Sequence, residues 1–173
     1  MSKYDADYLE THDIDWFCKI GNTAMHFASD GGDLPEKVND REQLREIQYT
    51  VAMLEDVLSD EGIEINRRYV WNILGNNDSQ ESFNHYVESF VAMARKGFVS
   101  FDRILEGDVY MWIARPAVSV EVKIQGLPEY EEGICGRYAA EKDVVHVRCL
   151  NNAEIGTRCK GKRYCFMMNR SGQ

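Results

Sequence analysis

The residues best suited to metal chemistry lie in the C-terminal part of the chain: Cys135, His146, Cys149, Cys159 and Cys165. Structural zinc sites use close pairs of ligands, usually with about two to four residues between them. Here 13, 9 and 5 residues separate the successive cysteines. His146 and Cys149 are three apart on one predicted strand, so they point to opposite faces. This spacing argues against a shared zinc ion, and we expect neither a metal nor another cofactor.

Cys135 is also the candidate for a reactive thiol. It lies between Gly133 and Gly136 in a predicted loop, where the sulfur could be exposed. The neighbouring carboxylates of Glu131 and Glu132 would raise the pKa of this thiol, whereas a nucleophile needs a lowered pKa. The sequence contains no G-x-S-x-G elbow, so it gives no support for a serine hydrolase.

His26 is the other side chain suited to acid–base chemistry, and a predicted β-hairpin over Asp13 to Ser29 positions it. Gly21-Asn22 is a two-residue turn signal between alternating flanks. This turn pairs His26 with Phe17, and we predict a small polar binding site at these two residues. The alternative is a partly exposed strand histidine without a chemical role.

The same register gives the hairpin one strongly apolar face, with Trp16 opposite Phe27 and Cys18 opposite Met25. The face expected to meet the core carries Ile14, Trp16, Cys18, Ile20, Met25 and Phe27. The other face is mixed and should be at least partly exposed; it carries Asp15, Phe17, Lys19, Ala24, His26 and Ala28. Cys18 and His26 fall on opposite faces, so they cannot form a catalytic pair.

A three-stranded meander is predicted further along the chain, over Phe98 to Leu105, Asp108 to Arg115 and Val118 to Gln125. The third strand shows the clearest alternation of apolar and polar residues. In the second strand, Tyr110 and Trp112 share one face and the aliphatic residues share the other. If helices cover the aliphatic face, Tyr110 and Trp112 form an exposed aromatic binding surface. The alternative is that the hairpin or the C-terminal strands cover them as a second layer.

Two amphipathic helices precede this meander, and their apolar stripes need a sheet to cover. The first begins near Asn39, which forms a capping box with Glu42, and ends by Gly62. Its stripe is Leu44, Ile47, Val51, Leu54 and Leu58. The second runs from about Ser79 to Lys96 and stops at Gly97. Its stripe is Phe83, Tyr86, Val87, Phe90, Val91 and Ala94.

The remaining segments are less regular. Residues 1–12 are predicted to be a loose start, 63–74 a strand or a short helix, and 126–137 an acidic loop. Val144 to Leu150 and Lys162 to Met168 are predicted strands. The fold class is therefore α+β: an N-terminal β-hairpin, two amphipathic helices packed on a largely antiparallel sheet, and a β-rich C-terminal part. We expect one domain over residues 1–173, within which 126–173 could form a subdomain.

The charge is acidic and unevenly distributed. The net charge is −9, and residues 1–66 carry 5 Lys/Arg against 16 Asp/Glu, whereas residues 133–173 carry 8 against 3. This balance argues against general affinity for nucleic acid or for anionic membranes. The polar N-terminus, the lack of an apolar run of about 20 residues and five irregularly spaced cysteines predict a soluble cytoplasmic protein with reduced thiols.

No motif in the sequence is extensive enough to assign a function. The leading interpretation is a small acidic protein that acts without catalysis by binding another protein, as a regulator or inhibitor, through an exposed sheet face or an acidic helix surface. One alternative is a small enzyme that uses Cys135 or His26. The other is nucleic-acid binding by the basic C-terminal part, where Tyr164 and Phe166 follow Lys162 and Arg163.

Overall fold

The computed structural model of the chain describes residues 2–75, 77–104, 109–130 and 144–146, and these residues form an α+β fold, as predicted. The helices are α1 (Ala6–Thr11), α2 (Arg41–Met53), α3 (Arg67–Leu74) and α4 (Gln80–Arg95). The strands are β1 (Asp15–Ile20), β2 (Thr23–Ala28), β3 (Ile63–Ile65), β4 (Val99–Ile104), β5 (Val109–Pro116), β6 (Glu129–Tyr130) and β7 (Val144–His146).

These strands form one mixed sheet in the order β3-β5-β4-β2-β1-β6, and β7 also pairs with β5. The β1–β2, β4–β5, β3–β5 and β5–β7 pairs are antiparallel, which confirms a largely antiparallel sheet. The β2–β4 and β1–β6 pairs are parallel. The β2–β4 pair places the N-terminal hairpin directly beside the β4–β5 hairpin, so β2 and β4 lie in the middle of the sheet.

The N-terminal hairpin has the predicted register. Trp16 lies opposite Phe27, Phe17 opposite His26 and Cys18 opposite Met25. The expected core face is buried: Ile14, Trp16, Cys18, Ile20, Met25 and Phe27 all belong to one apolar cluster. Leu9 of α1, with Leu34 and Val38 of the segment before α2, covers this face of the sheet.

The second face of the hairpin is more buried than predicted: Asp15 is exposed and Lys19 is half-buried, but the other four residues are covered. Phe17, Ala24, His26 and Ala28 are 2%, 1%, 1% and 6% exposed. Ile47 and Val51 of α2 pack in the same cluster as Phe17 and Ala24. Ala28 packs in a second cluster, to which α4 contributes most of the side chains. The sheet therefore has apolar layers on both sides, because two helices cross the face that was expected to meet solvent.

The first amphipathic helix is shorter than predicted. Its cap is Asp40, which accepts hydrogen bonds from the backbone N–H groups of Glu42 and Gln43. Asn39 does not cap the helix; its side chain exchanges two hydrogen bonds with the backbone of Tyr4. The buried stripe of α2 is Leu44, Ile47 and Val51, and the helix ends at Met53 rather than near Gly62. Leu54 is extended, which breaks the apolar spacing that suggested further turns.

The second amphipathic helix, α4, agrees with the prediction. Ser79 caps it, Arg95 lies in its last turn, and Gly97 follows with a φ of +102°. Its buried residues are Phe83, Val87, Phe90, Val91 and Ala94. The segment 63–74 was expected to be a strand or a short helix, and it contains both, as β3 and α3.

The prediction of a third meander strand over Val118 to Gln125 is wrong. Residues 119–124 pair with no strand among the described residues. The alternation predicts burial for the later part of the row only: Val122 is buried in a cluster with Phe98 and Val51, and Val120 packs against it, whereas Val118 is 62% exposed. The chain uses this apolar row to cover α2 and the start of β4 instead of extending the sheet.

The N-terminus is also better ordered than the predicted loose start. The rings of Tyr4 and Tyr8 stack at 5.0 Å, and those of Tyr8 and His12 at 3.8 Å. The guanidinium of Arg41 lies 5.2 Å from the centroid of the Tyr4 ring. This aromatic stack fixes α1 against the first turn of α2.

The C-terminal predictions lie mostly outside the described residues. Part of the predicted loop 126–137 is described, and it contains β6, which pairs with the end of β1. Residues 144–146 of the predicted strand Val144 to Leu150 form β7. The strand predicted over Lys162 to Met168, the thiol of Cys135 and the three other C-terminal cysteines lie outside the described residues.

Gly97 tests how the 119–124 segment is held. A methyl group added at Gly97 would lie 2.7 Å from a methyl carbon of Val120 and 2.8 Å from one of Val122. We expect Gly97→Ala to lower the free energy of unfolding by about 2–5 kcal/mol, through the positive φ and the overlap with both valines. Urea denaturation measures this loss.

Gly75→Ala is the matched control, because Gly75 has a φ of +93° but no atom within 4 Å of the added methyl group. Gly75→Ala should lower the free energy of unfolding only through the strain of an alanine at positive φ, by about 1–3 kcal/mol. Equal losses in the two variants would show that the valines do not pack against Gly97.

Candidate functional site

The predicted aromatic surface of β5 is not a surface. Tyr110 is 2% exposed and lies in the core cluster that includes the apolar face of the N-terminal hairpin. Its ring meets those of Trp16 and Phe27 edge-on, with centroids 6.0 and 5.1 Å away. The prediction of an exposed Tyr110 is therefore wrong. The hairpin does not cover Tyr110 as a second layer, because β1 and β2 belong to the same sheet as β5; the parallel β2–β4 pairing places the aromatic residues of the hairpin beside Tyr110 on one face of that sheet.

Trp112 is half-buried and packs at the edge of the same cluster. The guanidinium of Arg115 lies 4.1 Å from the centroid of the Trp112 ring, which is a cation–π contact. The same guanidinium bonds Glu64 of β3 at 2.7 Å. Arg115 thus covers Trp112 and ties β3 to β5, so Trp112 does not offer the open ring face that a binding surface requires.

The predicted site at Phe17 and His26 is assembled as expected but enclosed. The two rings lie 5.2 Å apart, on the face of the sheet that α2 and α4 cover. Their burial contradicts the partly exposed site that the hairpin pattern suggested. The structure therefore brings Phe17 and His26 together on one face of the sheet, and Tyr110 and Trp112 together on the other.

His26 forms the centre of a polar chain with Asp15 and Ser100. Its Nδ1 lies 2.6 Å from Ser100 Oγ, and its Nε2 lies 3.0 Å from Asp15 Oδ1. The carboxylate of Asp15 can only accept, so Nε2–H donates to it, and in the neutral ring Nδ1 accepts from the Ser100 hydroxyl. The three side chains have the order of an Asp–His–Ser catalytic triad, but the ring nitrogens are exchanged, since the serine of a triad contacts Nε2 and the aspartate contacts Nδ1.

The accessibility of this chain is the reverse of what catalysis requires. Ser100 is fully buried in the middle of the sheet, whereas the side chain of Asp15 is 52% exposed. A nucleophilic serine must meet its substrate, and here only the carboxylate end reaches solvent. The geometry instead satisfies a buried imidazole at both nitrogens, as buried polar groups require. No feature of the sequence reveals this chain, since Ser100 lies 74 residues from His26.

A second polar cluster lies where α4 crosses β4. The hydroxyl of Tyr86 donates a short hydrogen bond to Asp102. Burial raises the pKa of Asp102 to about 6, and the charges of Asp30 and Asp13 act in the same direction, while the Tyr86 hydrogen bond opposes them. Burial raises the pKa of Tyr86 and of Tyr69 as well, and the charge of Asp102 adds to both shifts.

Cys18 is fully buried, and burial raises the pKa of its thiol. A thiol in that environment is neutral and inert, so Cys18 acts as a small apolar residue. As predicted, it lies on the opposite face of the hairpin from His26.

The outer side of α2 is the surface that the sequence reasoning did not single out. Tyr49 and Met53 are 70% and 68% exposed, and Val57 just beyond the helix is 60% exposed. Glu42 and Glu46 are exposed on the same side of the helix. The spacing of 4, 3 and 4 residues places the four helical residues on one face. We call Glu42, Glu46, Tyr49 and Met53 the α2 surface. The sequence pattern could have indicated this surface, because Tyr49 and Met53 are apolar residues that lie outside the buried stripe of Leu44, Ile47 and Val51.

The described residues contain no group of three or more His, Cys, Asp or Glu side chains placed to hold a metal ion. No described helix is long and apolar enough to cross a membrane. Comparison with protein families, with characterised proteins and with solved structures gave no match for this chain. Function must therefore be argued from the geometry alone.

The structural role of the Asp15–His26–Ser100 chain predicts unequal effects of removing its two ends. Ser100→Ala leaves a buried imidazole nitrogen without a partner and should cost about 1–3 kcal/mol of unfolding free energy. Asp15→Ala should cost less than about 1 kcal/mol, because water can replace the exposed carboxylate. Urea denaturation of both variants compares them, and a larger loss for Asp15→Ala would contradict the assignment.

The raised pKa of Asp102 predicts a pH dependence of stability. The folded protein binds this proton more tightly than the unfolded chain, whose pKa is near 3.8. The resulting stabilisation is complete below that value and is lost as the pH rises to about 6. Asp102→Asn should therefore be more stable than the wild type at pH 7, by on the order of 2 kcal/mol, and this gain should vanish near pH 4.

The stability of the wild type and of Asp102→Asn is measured by urea denaturation at each pH. Asp60→Asn is the control, because the pKa of Asp60 is shifted in the opposite direction. The hydrogen bond and charge of Arg95 lower the pKa of the exposed Asp60. Its contribution is present at neutral pH and is lost as the pH falls, so Asp60→Asn should not gain stability at pH 7. If Asp102→Asn and the wild type kept the same stability difference at every pH, Asp102 would not be the titrating group.

Proposed function

We propose that this protein acts without catalysis by binding another protein, and that the α2 surface is the contact. The observation that carries the proposal is the exposure of Tyr49 and Met53, 70% and 68%, one helical turn apart. A single exposed apolar side chain is ordinary in a folded protein. Two adjacent ones on a helix, with Val57 also exposed nearby in sequence, form an apolar centre of the kind found in interfaces.

The types of these side chains suit protein recognition. Tyrosine supplies a large, stiff ring with a polar tip, and methionine adapts its unbranched chain to the surface it meets. Both are enriched in interfaces relative to the remaining protein surface. Leu44, Ile47 and Val51 anchor the opposite side of α2 in the core, so the helix would present its outer residues with little loss of backbone freedom.

The charge around this apolar centre indicates the chemistry of the partner. Glu42 and Glu46 precede it on α2, and Glu55 and Asp56 are exposed just beyond the helix. The nearby cations are Arg45, exposed one turn before Tyr49, and Lys96, which lies 3.6 Å from Asp56. Residues 1–66 carry a net charge of −11, counted as 5 Lys/Arg against 16 Asp/Glu. A partner that offers an apolar pocket within a basic rim would be complementary, and opposite charges would accelerate association.

A basic partner surface is often one that binds nucleic acid. By occupying such a surface, an acidic protein would exclude the nucleic acid and regulate or inhibit its partner. Exclusion of nucleic acid follows only if the proposed binding occurs, so it is tested once a partner has been found.

The proposal predicts that two different changes to the α2 surface weaken the same interaction. Tyr49→Ala/Met53→Ala removes the apolar centre and should weaken binding about 10- to 100-fold. Glu42→Gln/Glu46→Gln removes two charges and should slow association and reduce its salt dependence. The measurement is affinity capture from a lysate of the source cells, followed by kinetics with the purified captured protein.

Ile73→Ala is the matched control, since Ile73 is 45% exposed on α3, away from the α2 surface. This variant should bind like the wild type. Circular dichroism melting verifies that all variants are folded, as substitutions at such exposed positions usually change stability by less than about 0.5 kcal/mol. A captured protein that binds both α2 variants with unchanged affinity, or the capture of no protein, would contradict the proposal.

A further inference from the structure

A groove runs between β3 and α4, away from the α2 surface. It has a volume of about 1010 Å³. Its apolar lining comes from Ile63 and Ile65 on the strand and from Val87 and Val91 on the helix. The two isoleucines are only half-buried, although they belong to the cluster beneath α4. We call this feature the β3–α4 groove.

The backbone of β3 has hydrogen-bonding groups that point away from the sheet. Ala117 N–H donates to Gly62 O, and Asn66 N–H donates to Ile113 O. In an antiparallel ladder these bonds involve every second residue, so Gly62, Glu64 and Asn66 face β5. The backbone groups of Ile63 and Ile65 therefore point outward. Ile63 N–H bonds Asp60 O, which leaves Ile63 C=O and both groups of Ile65 for another strand.

The opposite side of the sheet shows how this chain covers a strand edge elsewhere. The outer edge of β1 is covered at one end by β6 and at the other by Gln48, which donates to Asp15 O at 2.7 Å. Among the described residues no strand pairs with the outer edge of β3. An edge that no described strand covers, beside an apolar groove, is the arrangement that accepts an extended peptide as an added strand.

The walls of the groove add a charge preference. Glu81 and Glu88 are exposed on the α4 side, two turns apart. Glu88 lies 4.0 Å from the exposed His85, and its charge also acts on Arg95. Asp60 at the other wall is paired with Arg95 at 2.7 Å, and Arg67 lies over the ring of Phe83. The carboxylates along the helix would therefore face the side chains of a bound peptide.

We propose that the β3–α4 groove binds an extended peptide segment of a partner protein, which pairs with β3 as an added strand. The peptide places aliphatic side chains at alternate positions against Ile63, Ile65, Val87 and Val91. A lysine or arginine of the peptide faces Glu81 and Glu88. This site is separate from the α2 surface, and its test does not depend on the proposed function.

A random 12-residue peptide library displayed on phage provides the probe, with the full chain as the target. The selected peptides should show alternating aliphatic residues and at least one basic residue. Their affinity is then measured for the wild type, for Ile65→Pro and for Glu81→Gln/Glu88→Gln. Proline at Ile65 removes an outward N–H, which edge strands tolerate, so the β3–β5 ladder should persist. It also removes the isoleucine side chain, so the groove loses one apolar contact.

Binding to Ile65→Pro should weaken at least about tenfold, because a backbone hydrogen bond is lost and the proline ring obstructs pairing. The double glutamine variant changes only exposed side chains and should weaken binding of the basic peptides even if Ile65→Pro proves unstable. Glu10→Gln, an exposed position on α1, is the control and should bind normally. Hydrogen exchange should show new protection of the Ile65 amide in the complex.

Three results would overturn the proposal. The first is a selection that enriches no peptide competing at this groove. The second is equal affinity of the wild type, Ile65→Pro and the double glutamine variant. The third is a dimer in sedimentation experiments that Ile65→Pro dissolves, since the occupant of the β3 edge would then be a second copy of this chain.

Discussion

The parallel pairing of β2 with β4 is the contact on which the rest of this structure depends. It joins two hairpins that lie about 70 residues apart and makes β2 an interior strand. On one face it stacks Phe27 on Phe101, with ring centroids 4.8 Å apart. On the other it sets His26 beside Ser100. Since β2 is apolar on both faces, this arrangement is stable only if layers cover both, and α1 and the helices α2 and α4 supply them.

Burial on both faces determines which polar groups can act on other molecules. The imidazole of His26 and the carboxyl of Asp102 are held within the helix-covered layer, where their contacts serve the fold. They maintain an ordered polar seam between the sheet and α4, and Asp102 makes that seam sensitive to pH. The side chains that face outward are those of the α2 surface and of the β3–α4 groove. The two proposed interaction sites therefore lie at the periphery of the fold.

The two sites differ in what the fold offers to a partner. The α2 surface offers side chains only, because the helix satisfies its own backbone groups. The β3–α4 groove offers backbone groups as well, because β3 is three residues long and ends the described sheet. A short edge strand discourages uncontrolled association of sheets, while the groove beside it retains selectivity for a matching segment.

Much of the local structure follows from the sequence alone. The Gly21-Asn22 turn and the alternating flanks specified the register of the first hairpin, and Ser79 and Gly97 bounded α4. Those features depend on neighbours in the chain, whose geometry is set by hydrogen bonding within a few residues. Which of these residues are exposed to solvent could not be predicted from the sequence. The exposure of Phe17, His26, Tyr110 and Trp112 depends on what packs over them from distant segments, and alternation predicts only that one face is apolar. Val120 and Val122 show the same limit, since their spacing indicates burial while the tertiary structure decides that they cover Gly97 and α2 rather than add a strand.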